Sequence, residues 1–136
     1  LANIPLSQAD APSAWRYYAG DKGWSEKKGD ATVVLHGNDI MSVGYSAYAQ
    51  RYVAIYSRPM DRQVELRTSE YPEGPWSAPT TLFTAQAPET GEWVYDALWH
   101  PEYDGDGGRL IYISYSRWTG FLRSQYHLME ITLERN

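Results

Sequence analysis

Cysteine is absent from the 136 residues. That excludes disulfides and thiolate metal sites. Positive charge is scarce, with 12 Lys and Arg against 17 Asp and Glu for a net charge of -5. The longest basic run is Lys27-Lys28. Clustered cations are what a nucleic-acid backbone needs, so no nucleic-acid partner is expected. No apolar stretch approaches the ~20 residues of a helical membrane span, and no membrane partner is expected. The three histidines are not at metal-ligand spacing, so no metal site is expected. Gly-x-Ser-x-Gly, a phosphate-binding glycine loop and a Cys/His pair are all missing, which disfavours serine-hydrolase, nucleotide and thiol chemistry. The chain opens on Leu1 without a leader-like run. The expectation is a processed or shortened product of a longer chain, in a secreted or extracellular setting.

What the chain does hold is aromatic. Twelve Tyr and six Trp stand against two Phe. Both residue types join an apolar face to a polar tip, which suits half-exposed sheets and sugar-binding surfaces alike. The length suits one domain, able to bury roughly two-thirds of its unfolded surface. Residues 1–14, with Pro5 and Pro12, read as an N-terminal arm or linker. Beyond them the signals are those of strands. Trp15 to Tyr18, Thr32 to Leu35, Ile40 to Tyr45, Tyr52 to Ser57, Gln63 to Ser69 and Thr80 to Thr84 are runs of β-formers. Within Gln63 to Ser69, Val64, Leu66 and Thr68 alternate with Gln63, Glu65 and Arg67, the period of a half-buried strand. Tyr95 to His100, Leu110 to Ser116 and Tyr126 to Leu133 follow. The turn between the first two of these, Asp104-Gly105-Asp106-Gly107-Gly108, reads as a tight hairpin of residues that tolerate positive φ.

A repeat organises these runs. Tyr52-Val53-Ala54-Ile55-Tyr56-Ser57-Arg58 resembles Ile111-Tyr112-Ile113-Ser114-Tyr115-Ser116-Arg117 at an offset of about 59 residues. Each copy follows a shorter strand and precedes a more polar one. That is the order of a four-stranded antiparallel β-propeller blade. The expected fold class is therefore all-β, built of propeller blades over residues 15–136.

The segment Val64 to Pro79, with its Pro72-Glu73-Gly74-Pro75-Trp76 turn, resembles the outer-strand segment of five-bladed propeller glycosidases. Tyr95 to Pro101 followed by Arg109 to Trp118 resembles the closing blade of domain of unknown function family 4185, and Gly37 to Tyr56 the blade before it. The resemblance covers about residues 15–135. It implies a five-bladed propeller similar to glycoside hydrolase family 43. At about 50 residues per blade, this chain supplies about two and a half blades of an incomplete propeller. It also implies a glycosidase-like activity on a polysaccharide or oligosaccharide, since some relatives are linked to cleavage of arabinose-containing polysaccharides. Unpaired blade edges would invite self-association or association with the missing blades.

Glycoside hydrolysis needs two carboxyl groups flanking the scissile bond. Asp39 and Asp96 stand at the starts of expected inner strands and are the candidate catalytic pair, although each also suits a plain turn. His100 closes an inner strand before Pro101 and is a candidate substrate-binding residue. Tyr95, Trp99 and Trp118 are candidates for a sugar-stacking platform, with Ser42 on the neighbouring inner strand. His36 and His127 read as structural, and Glu73 as a solvent-facing turn residue. No cofactor is required, though the axial channel of such a propeller leaves room for a calcium ion. The alternatives are a non-catalytic carbohydrate-binding or interaction module, and an inactive piece of a larger enzyme.

Overall fold

The computed structural model describes residues 1–86 and 93–134. Every regular element among them other than short 3-10 turns is a β-strand, and the strands form three small antiparallel sheets with no closed barrel. The all-β expectation is met.

The β-formers of Tyr52 to Ser57 make the centre of the largest sheet. Strand β5 (Arg51–Ser57) is flanked by β4 (Met41–Ser46) and β6 (Gln63–Ser69), and β7 (Thr80–Thr84) lies outside β6. The order β4-β5-β6-β7 is the simple meander of a propeller blade. The repeat builds the next sheet in the same way. Strand β8 (Val94–Trp99) pairs with β9 (Leu110–Gly120), and β9 with β10 (Arg123–Thr132), so β5 and β9 hold equivalent central places.

The two sheets pack face to face. Val53, Ile55 and Val64 on one side meet Val94, Ala97, Trp99, Ile111 and Ile113 on the other. The alternation in β6 follows from this. Val64 is buried in that core, whereas Gln63, Glu65 and Arg67 share the opposite face with Tyr56, which lies directly across from Glu65.

The N-terminal segment differs from a plain arm. Strand β1 (Ala2–Asn3) pairs with β2 (Arg16–Tyr18), which pairs with β3 (Trp24–Ser25), in the third sheet. Thr32 to Leu35 forms no strand. Its β-branched run finds no ladder partner, and the Thr32 N–H donates instead to the Tyr18 carbonyl at 2.9 Å. β-propensity expresses itself only where a neighbouring strand and a buried face exist. The connection after β8 is longer than a tight hairpin. Two 3-10 turns, Pro101–Tyr103 and Asp106–Gly108, precede β9. Positive φ falls on Asp106, Gly107 and Gly108, as their residue types suggest.

Candidate functional site

Among the described residues strand β8 pairs with β9 on one side only, so the N–H groups of its other edge need partners. Two serines of the first sheet provide them. The Ala97 N–H donates to Ser57 Oγ at 3.1 Å, and the Trp99 N–H donates to Ser42 Oγ at 2.7 Å. Ser42 is thus engaged across the gap between the sheets. The Trp99 ring lies in the core, only 5% exposed, and rests against Gly44. Its indole N–H donates to Asp104 Oδ1 at 2.8 Å. Burial raises the Asp104 carboxyl above the ordinary range, this hydrogen bond opposes the rise, and the Glu102 charge adds to it. Trp99 therefore joins the sheets and presents no open face for a sugar.

His100 follows directly. Its Nε2 lies 2.7 Å from Ser114 Oγ, and its Nδ1 lies 3.3 Å from Glu102 Oε1. The connectivity is that of a serine–histidine–acid relay. Ser114, however, is 0% exposed, so no substrate carbonyl reaches its oxygen. The contact works as a tie between the β8 terminus and β9.

Asp96 occupies an unusual backbone position. Tyr95 pairs with Ser116 and Leu98 with Ser114, so Asp96 and Ala97 oppose Tyr115 alone. That is a β-bulge, and Asp96 takes φ +58 within it. Bulges re-aim side chains and are over-represented beside active sites. A left-handed non-glycine residue costs on the order of 1–2 kcal/mol relative to glycine. Asp39 lies on a segment that is tied to Ser57. Its neighbour Asn38 donates through Nδ2 to the Ser57 carbonyl at 3.1 Å, and the Asp39 N–H donates to Asn38 Oδ1 at 2.8 Å. Each candidate acid therefore lies one residue from a group bonded to Ser57. The fully buried Ser57 holds the two segments together.

Tyr95 and Trp118 are also brought together. They line a pocket of about 350 Å³ with Phe121, Leu122, Arg123 and Ser124. Trp93 packs on Trp118 with ring centroids 5.1 Å apart, and the Trp118 indole N–H donates to the Gly120 carbonyl. Phe121 and Leu122, at the tip of the β9–β10 hairpin, are 85% and 88% exposed. The expected residues thus fall into two segments tied to Ser57 that carry Asp39 and Asp96, a buried tie through Ser42, Trp99 and His100, and an aromatic pocket at Tyr95 and Trp118.

A polar cleft on the far face of the first sheet carried no sequence-level expectation. His36, Tyr56, Arg58, Glu65 and Arg67 line it, with a volume of about 510 Å³. The available signal was the alternation of Gln63, Glu65 and Arg67, which reads equally as a solvated face. Tyr56 stands across from Glu65 on that face and lines the cleft with it. His127 keeps a structural place, its ring stacked on Tyr115 at 5.1 Å. Among the described residues no group of three or more His, Asp or Glu could hold a metal ion.

The domain family described as "Domain of unknown function (DUF4185)" matches residues 1–131. The chain belongs to that family. The match takes in residues 1–14 as well as the sheets described above. A comparison with curated proteins finds no match.

Proposed function

We propose that this DUF4185 chain is a carbohydrate-active, glycoside-hydrolase-like element of β-propeller blades, acting on a polysaccharide in an extracellular setting. The observation that carries the reading is the bulge in β8. It holds Asp96 at φ +58 immediately beside Tyr95, which lines an open aromatic pocket with Trp118. In this reading a sugar stacked on Tyr95 or Trp118 extends from the pocket toward Asp96, the next residue of the strand, and toward Asp39, whose neighbour Asn38 is bonded to Ser57. One acid would protonate the leaving oxygen while the other acts as base or nucleophile. Ser42, Trp99 and His100 serve this site as positioning residues rather than as sugar contacts. Association with further blades, or with a second copy, would complete the ring around it.

The test is reducing-end release from an arabinose-containing polysaccharide by the wild-type chain and by Asp39→Asn and Asp96→Asn. Loss of release in both variants, with unchanged unfolding, supports the pair. Unchanged release in Asp96→Asn removes it from the mechanism. A second reading, a non-catalytic glycan-binding module, is favoured by one observation: among the described residues no carboxylate lines the pocket at Tyr95 and Trp118. Glycan binding abolished by Trp118→Ala, without any release by the wild type, selects that reading.

A further inference from the structure

The cleft on the far face of the first sheet combines two guanidinium groups with a single carboxylate among its lining residues. The Glu65 carboxylate stands across the ladder from Tyr56, and Arg58 Nε lies 3.9 Å from it. Arg58 is further held by Asp61 at 3.6 Å and donates through Nη1 to Gln63 Oε1 at 3.0 Å. Arg67 is differently placed. It donates through Nε to the Tyr56 hydroxyl at 2.9 Å and through Nη1 to the Ser77 carbonyl at 3.4 Å. Among the described residues no carboxylate forms an ion pair with it. The buried Tyr56 thus braces Arg67, and among the described residues no ion pair neutralises the guanidinium.

The remaining lining is made of neutral hydrogen-bonding groups. Gln63 Oε1 accepts from both Arg58 Nη1 and Thr81 Oγ1, which fixes the orientation of its amide and leaves the N–H₂ end without a partner among the described residues. His36 also lines the cleft. A guanidinium presents a planar fork that matches a carboxylate, and carboxamide, imidazole and hydroxyl groups match sugar hydroxyls. Arg58 shares its charge with Asp61 and Glu65, so the anion-binding fork of the cleft is that of Arg67, with Arg58 beside it.

We propose that this cleft is a binding site for the carboxylate of an acidic sugar, a hexuronate unit, recognised by Arg67 and Arg58. The site is separate from the pocket at Tyr95 and Trp118, and the proposal does not depend on hydrolysis there. Binding is followed on the full chain by backbone amide NMR with three probes: sodium D-glucuronate, its neutral methyl ester, and inorganic phosphate. Glucuronate should give saturable shifts at Arg58, Gln63, Arg67 and Thr81, and the methyl ester should bind roughly tenfold or more weakly. Arg58→Gln, a change at a half-exposed side chain, should weaken glucuronate by a similar factor while the rest of the spectrum stays in place. Arg67→Lys should weaken it also, because an ammonium lacks the fork. Trp118→Ala should leave glucuronate binding unchanged, which separates this site from the proposed glycan platform. Equal binding of glucuronate and its ester, binding of phosphate as tight as that of glucuronate, or no shift at these residues would each overturn the assignment.

Discussion

Replacing Ser57 with Ala removes one oxygen atom and leaves a defined defect. The Ser57 side chain and Ala97 are both fully buried, and the 3.1 Å bond from the Ala97 N–H to Ser57 Oγ is the link between them. Alanine keeps the backbone and most of the volume, so no sizeable cavity contributes. The Ala97 amide is then left without an acceptor and without water. An unsatisfied buried donor costs about 1–3 kcal/mol. Ser42→Ala makes the same change at the partly buried Trp99 N–H, and about 1 kcal/mol is expected there. Urea unfolding measures both. With a slope of about 1–3 kcal/mol per molar, Ser57→Ala should lower the midpoint by roughly 1 M at unchanged slope. Amide hydrogen exchange gives the local reading, with faster exchange at Ala97 in one variant and at Trp99 in the other. A wild-type midpoint for Ser57→Ala, or unchanged protection at Ala97, would refute the idea that serine hydroxyls secure the open edge of β8.

At Asp96 the backbone sits at φ +58, so Asp96→Gly should be about as stable as wild type or more so, whereas Asp96→Ala should unfold about 1 kcal/mol earlier; equal stability of the two would deny the left-handed bulge. A Cβ on Gly44 would lie 3.0 Å from Trp99 Cζ3, so Gly44→Ala should cost about 1–3 kcal/mol in thermal or urea unfolding, and an unchanged midpoint would mean that the two sheets do not meet there. The Asp104 carboxyl is raised by burial, so the folded state holds its proton more tightly than the unfolded one; its favourable contribution is complete below the ordinary carboxylate range and is lost as pH rises through the raised value. Asp104→Asn keeps an acceptor for the Trp99 indole, so its melting temperature relative to wild type should rise between pH 4 and pH 7; a difference independent of pH would refute the shift.

Local chemistry in the sequence determined the strands and their grouping. Period-two alternation from Gln63 to Ser69, the aromatic and β-branched runs of β5 and β9, and their spacing are properties of contiguous residues, and a sheet meander joins contiguous runs. The approach of Tyr95 and Trp118 was legible for the same reason, since paired strands of one meander carry both. The Thr32 to Leu35 run shows the limit, because its propensity required a neighbouring strand that the fold does not supply there.

What lies between sheets was decided only by the tertiary structure. Trp99 reads as an exposed platform residue or a core residue from its neighbours alone, and it became core because Gly44 opposes it on the other sheet. Ser42 and Ser57 became acceptors because the unpaired edge of β8 arrives beside them from about 40 to 57 residues away in the chain. The bulge at Asp96 is a difference in residue count between two strands, and no single strand reveals it. The Arg67–Tyr56–Glu65 cluster likewise depends on which face of β6 the second sheet covers. Periodicity announces a face, but the partner that buries it, or leaves it as a site, comes from packing.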